Sequence, residues 1–268
     1  MRRTKIIGAL LAFGLSLSPA SNAAANALTI VGTGDGLDMM RAVGALYLTS
    51  EGKEVVFPAS IGSGGGIAAV AAETNALARV ARPLKPTEMD AGLVAVPLAS
   101  LRSAFIVHPD VGVTSLTSAQ VGDIYAGRIT DWADVGGKPL KIKVVRREDA
   151  DSTLQGLRAG MPGWKDLVFT ERSKVAVTTQ DAVDTVRTVE GAIGFAPYST
   201  SLLADTVVLK IDGRRPIDPG YPSAVELSLV YKKDNVTPEV TAFLEFARSD
   251  KARDLLSAYG AVPPPRSD

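Results

Sequence analysis

From residue 28 onward, short β-rich runs alternate with amphipathic helical stretches, and this alternation leaves few folds open. Residues 28–31 read as a strand that stops at Gly32-Thr33-Gly34, and 37–48 follow as a helix with Met40, Val43, Gly44 and Tyr47 on one face. Residues 54–57 form a second strand, and a glycine-rich loop at 61–66 opens an alanine-rich helix. A long extended segment covers 93–108, and further strands are expected at 140–145, 192–195, 206–211 and 225–231. Alternation of this kind defines the α/β class.

Several helix ends are written in local chemistry. Thr117 can cap a helix with Gln120 three residues on, the capping-box spacing, and Leu116 and Val121 match a hydrophobic staple. Val121, Ile124 and Tyr125 make its apolar stripe, and Gly127 ends it. Thr237-Pro238 starts one C-terminal helix and Ser249 caps the last, which closes at Gly260. No repeat, low-complexity block or disordered linker divides the chain, so two domains would have to share it discontinuously.

Composition narrows the chemistry. The chain has 268 residues, no cysteine and one histidine, His108. Thiolate nucleophiles, disulfides, Cys-ligated zinc and multi-histidine metal sites are therefore excluded. Lys+Arg 29 balance Asp+Glu 29, which argues against a nucleic-acid binder. Function must run on hydroxyls, carboxylates, guanidinium groups and backbone amides. His108 reads as a hinge or surface residue rather than a general base.

The N-terminus has the order of a signal peptide: Arg2, Arg3 and Lys5, then an apolar stretch over 6–17, then small residues with cleavage sites between 23 and 27. Residues 1–25 are thus expected to be removed. With no cysteine to carry a lipid anchor, a free periplasmic protein is the expectation.

Three loops lie where a strand hands over to a helix: GTGDG at 32–36, GSGGG at 62–66 and RREDADST at 146–153. Helix N-termini expose unpaired amides and the positive end of the dipole, and so favour anions. A fourth segment, ARPLKPTE at 81–88, adds Arg82 and Lys85. Arg82 and Arg147 are natural oxyanion partners because a guanidinium donates in pairs. The dinucleotide fingerprint fails at Leu37, the NTPase loop lacks its Gly-Lys-Ser/Thr, and a hydrolase elbow around Ser63 fails at Ile61.

Taken in order, IGSGGG at 61–66, ARPLK at 81–85, SLTSAQVGDIYAGRITDWADVGG at 115–137, RREDADST at 146–153 and GAIGFAPYS at 191–199 resemble the phosphate-binding proteins of bacterial ABC phosphate importers. The resemblance covers nearly the whole chain after the signal peptide. It implies a two-lobed type II periplasmic binding protein fold with a ligand cleft, lobe one at 28–105 plus 200–268 and lobe two at 106–199. It implies ligand contacts at Ser63, Arg82, Arg147, Ser152 and Thr153, and Thr33, Gly64 and Asp151 in the same loops join them as candidate contacts. The ligand would be phosphate or a related oxyanion, delivered by a monomer to an ABC permease in the inner membrane, with no nucleic-acid partner, cofactor or catalytic residue. Asp151 stands where that family carries a hydroxyl, and Ala81 replaces a common serine. The Asp151 carboxylate can cap its helix and occupy the amides meant for the anion. Alternatively it can accept the proton of a monohydrogen oxyanion and discriminate against sulfate. Sensing with the same fold is a second reading, and a phosphate-ester hydrolase using Asp35 or Asp151 a third.

Overall fold

The computed structural model describes residues 27–265, so the signal-peptide reading of 1–25 lies outside the described residues. The chain begins with β1 (Leu28–Gly32), α1 (Leu37–Glu51), β2 (Val55–Val56), α2 (Gly62–Ala71), β3 (Leu77–Val80), α3 (Pro86–Asp90) and the long β4 (Leu93–Val107). The middle of the chain gives β5 (Ser115–Leu116), α4 (Ser118–Tyr125), β6 (Lys143–Arg147), α5 (Ser152–Gly160), β7 (Lys174–Ala176), α6 (Thr179–Thr188), β8 (Ala192–Pro197), β9 (Val207–Val208) and β10 (Lys210–Ile211). β11 (Ala224–Lys232), α7 (Pro238–Ala247) and α8 (Asp250–Ala258) complete it.

The sheet runs β2-β1-β3-β11-β4-β8-β6-β7, with β9 also on β4. Strands β1, β2 and β3 pair in parallel, as do β6, β7 and β8; β11 and β4 join the two groups in antiparallel pairing. β4 belongs to both groups. Its residues 93–102 pair with β11 and its residues 103–107 with β8.

Two main cores follow from this division. Ile30, Met40, Val43, Leu77, Leu101 and Leu229 pack with Phe243 and Leu256 of the C-terminal helices. Phe105, Tyr125, Trp132, Leu154, Trp164 and Phe195 pack in the other. The α1 face foreseen from spacing is the buried one. Gly44 lets the Phe57 ring approach, since a Cβ there would sit 2.6 Å from it. At α4 the capping box forms as its spacing predicts: Gln120 N–H donates to Thr117 Oγ1 and Thr117 N–H to Gln120 Oε1.

The second core extends beyond the boundary read from the resemblance. Leu209, Ile211 and Tyr221 belong to it, because β9 pairs with the end of β4 and β10 pairs with β5. By packing we place the second lobe at about 103–223 rather than 106–199, with the return to lobe one at β11. Strand β6 starts later than residue 140, since Leu140 is spent on a turn against Trp132. The run at 206–211 divides into β9 and β10. Helix α6, with Thr178 capping Asp181, has no counterpart in the sequence reading. Among the described residues no helix is long and apolar enough to cross a membrane, and no cluster of three His, Cys, Asp or Glu side chains could hold a metal ion.

Candidate anion-binding site

The loop after β1, the loop before α2 and the loop between β6 and α5 close around one cavity of about 180 Å³. Lobe one contributes Thr33, Gly34 and residues 60–65; lobe two contributes Arg147, Glu148, Ala150, Asp151 and Ser152. Two helix N-termini, of α2 and α5, therefore meet at a single space between lobes. A larger groove of about 720 Å³, near α7 and α8, takes no residue from these loops.

Close approach of α2 to the sheet is what brings Ser63 here. Gly66 lies so near β1 that a Cβ on it would sit 2.8 Å from the Gly32 Cα. Ser63 Oγ accepts the Ala81 N–H at 3.0 Å and meets Ser152 Oγ, across the lobes, at 3.0 Å. Gly64 lies on the same wall, with nothing within 4 Å of where its Cβ would be.

Arg147 ends β6 and is buried, 6 % exposed. Its Nη2 lies 2.9 Å from Asp151 Oδ2, while its Nε and Nη1 have no hydrogen-bond partner. Asp151 is the N-cap of α5, with Oδ1 accepting the Leu154 N–H at 2.9 Å. So Asp151 caps its helix, the first of the two roles open to it, and neutralises Arg147 as well. Burial raises its pKa despite the Arg147 charge, which pulls the other way. Thr153 is buried beside it, and its Oγ1 has no hydrogen-bond partner.

A second buried carboxyl enters from lobe one. Asp35 is fully buried; its Oδ1 accepts from Thr179 Oγ1 of α6 at 2.8 Å, and Oδ2 has no hydrogen-bond partner. Gln180 Nε2 donates to Gly34 O at 3.1 Å, so the start of α6 grips the GTGDG loop. Desolvation, followed by the charge of Asp151, lifts Asp35 to about 7. Because the folded state then holds a proton that the unfolded chain releases near pH 4, stability should fall as pH rises from about 4 through 7. Melting without phosphate across pH 5 to 8 should show this decline, flattened in Asp35→Asn. The variant should be the more stable protein above neutrality by a few kcal/mol, at ~1.4 kcal/mol per pKa unit. An unchanged profile in Asp35→Asn would refute it.

Seven of the eight candidate contacts gather here: Thr33, Ser63, Gly64, Arg147, Asp151 and Ser152 line the cavity and Thr153 lies just behind. Arg82 is the correction. Glu88 holds its guanidinium in a fork, Nη1 to Oε2 at 2.9 Å and Nη2 to Oε1 at 2.7 Å, and it does not line the cavity. The Arg82 hydrogen bond pulls Glu88 down to about 2, so this pair persists at any ordinary pH. The glutamate six residues on was the signal for this. Asp35 entered only as the candidate aspartate of the hydrolase reading, and Thr179 and Gln180 went unassigned; a T-x-x-D cap at Thr178 ahead of Ala182, Val183 and Val186 was the available sign of α6. His108 accepts the Asp110 N–H in a turn after β4, a local capping role.

A two-lobed α/β fold that brings loops from both lobes onto a buried arginine is the architecture of a solute-binding protein. Residues 18–251 match the family model of the PBP superfamily domain, and the chain belongs to that family. It is 27% identical over 180 residues to the phosphate-binding protein PstS of Bacillus subtilis, an alignment covering 64% of this chain and 58% of that protein. The chain thus spans about three fifths of the length of that relative. Among solved structures, a protein of Clostridium perfringens assigned as a phosphate ABC transporter substrate-binding protein, with bound phosphate, superposes with TM-score 0.79 and 27% identity, over 90% of this chain and all of that one. A phosphate-binding protein of Stenotrophomonas maltophilia, at 17% identity and TM-score 0.70 over 89% of this chain and 91% of its own, supports the fold alone.

Proposed function

We propose that this protein binds phosphate between its lobes, in the periplasm, and presents it to an ABC permease of the inner membrane. The observation that carries the reading is Arg147: a buried guanidinium with two unpartnered nitrogens, on a cavity reached by two helix N-termini. Burying such donors without acceptors is costly, and an oxyanion supplies acceptors in matching geometry. Thr33, Ser63, Ser152 and Thr153 add neutral donors, and Gly64 leaves room for close approach. The phosphate-binding relatives are receptors rather than enzymes, which supports binding without turnover and disfavours the hydrolase reading. The protein needs no cofactor for this work and acts as a monomer.

A buried carboxyl refines the ligand. Asp151 meets the anion with acceptor oxygens, so a ligand that brings a proton is preferred over one that cannot. Calorimetry of ligand-stripped protein lacking residues 1–25 should therefore give one site for phosphate and binding to sulfate weaker by about tenfold or more. Absence of heat with phosphate, sulfate, molybdate and phosphonates alike would overturn the reading.

A further inference from the structure

Arg79 is a charged residue in the middle of β3, and its side chain is fully buried in lobe one. A carboxylate would be its ordinary partner, yet among the described residues it has none. Its Nε donates to the Thr33 carbonyl at 2.5 Å, Nη1 to the Ile30 carbonyl and Nη2 to the Pro58 carbonyl at 2.8 Å. Its own carbonyl accepts the Thr33 N–H at 3.0 Å, so Thr33 is held at both of its backbone polar groups by one residue.

These acceptors belong to the two lobe-one loops that line the cavity. Ile30 and Thr33 lead into GTGDG, and Pro58 leads into 60–65, whose Ile61 N–H donates to Gly32 O at 3.0 Å. A trans peptide directs its carbonyl and its N–H to opposite sides, and no described peptide bond is cis. With the Thr33 carbonyl drawn to Arg79, the Gly34 N–H is turned away from the guanidinium. Among the described residues that N–H makes no hydrogen bond, and Gly34 is a wall of the cavity.

We propose that Arg79 is a positioning residue for the anion site: it clamps the two lobe-one loops to each other and presents the Gly34 amide to the oxyanion. The proposal deepens the phosphate-binding reading and rests on it for the ligand. Packing alone gives no reason for the charge. A buried cation costs desolvation that an apolar side chain at the same strand position would avoid. What the planar fork supplies, and Met or Leu cannot, is simultaneous donation to carbonyls on separate loops. Its charge, which burial and neighbouring Arg41 draw down only to about 10, persists at neutral pH and lies beneath the loops that receive the anion.

Arg79→Met and Arg79→Lys test it with two measurements on the protein lacking residues 1–25. In phosphate-free protein, amide exchange at Thr33 and Ile61 should accelerate by about tenfold or more in Arg79→Met while β3–β11 amides stay protected. In phosphate titrations, the dissociation constant should rise about tenfold or more in Arg79→Met and less in Arg79→Lys, which keeps charge but loses the fork. The ¹⁵N–¹H response of Gly34 to phosphate should shrink while that of Ser152 persists. A folded Arg79→Met with unchanged loop exchange, or with wild-type affinity and an intact Gly34 response, overturns the proposal. If Arg79→Met does not fold, Arg79→Lys carries the same readouts. A wild-type protein that ignores phosphate would instead sink the functional reading, and the phosphate-free exchange data would still decide whether Arg79 holds the loops.

Discussion

Arg147→Met is expected to abolish phosphate binding at working concentrations while leaving the fold in place. The side chain is buried, its Nε and Nη1 are unpartnered, and among the described residues no second cation lines the cavity. Removing one member of a buried charged pair typically costs about 2–5 kcal/mol, equivalent to roughly 30-fold to several thousand-fold in affinity. The variant also leaves Asp151 without its cation, so that carboxyl should take up a proton and Leu154 keep a weaker cap. Calorimetry with phosphate reads the first effect and circular dichroism the fold. Arg82→Ala is the matched comparison: its guanidinium is already spent on Glu88, and affinity should stay within about twofold, since the lost pair is a partly exposed one. Phosphate binding unchanged in Arg147→Met would remove the foundation of the site.

Asp151→Ser is expected to move affinity the other way. In the present arrangement the Asp151 carboxylate does what a bound anion would do: it accepts at the N-terminus of α5 and pairs with Arg147. Any incoming oxyanion must share those donors with it and sit against its charge. Serine retains the ability to cap while removing the charge and adding a hydroxyl donor. Phosphate should bind about tenfold more tightly in the variant at pH 8, and sulfate should gain more, because the acceptor that penalises a protonless ligand is gone. The phosphate-over-sulfate preference therefore narrows as both affinities rise. A weaker phosphate titration in Asp151→Ser would show instead that the carboxylate receives the ligand's proton and contributes net attraction.

The parts of this architecture that were legible in the residues are those decided locally. Alternation of strand and helix, the Thr117 capping box and the three strand-to-helix loops each depend on a few neighbours in sequence. The structure assembles the loops at one cavity as their shared chemistry suggested. What escaped was set by partners far apart in the chain. Asp35 looks like an ordinary turn aspartate until α6, 144 residues away, delivers Thr179 to it and buries it. Arg82 has the composition of a ligand arginine, and only the competition from Glu88 removes it. Ile-Thr-Asp-Trp, within one of the segments that carry the resemblance, serves packing: Trp132 is fully buried and donates through Nε1 to Gly191 O at 2.9 Å. Motif strength reported the fold there, and said nothing about which atoms meet the anion.

The path of β4 and β11 bears on how the molecule comes to be folded. The second lobe is one uninterrupted stretch of chain, whereas the first draws its interior from both ends of the sequence, with Phe243, Phe246 and Leu256 closing over Ile30 and Met40. A chain that emerges N-terminus first can complete its middle portion early, but β3 lacks its β11 neighbour until nearly all residues have appeared. Until then the apolar side of β1 and β3 lies uncovered, with unpaired strand edges that invite association with other chains. Closure of the widest loop in the fold is therefore the late, slow event, and the last forty or so residues act as the latch that ends the vulnerable period. Truncations near the C-terminus should accordingly be far more damaging than their distance from the anion cavity implies.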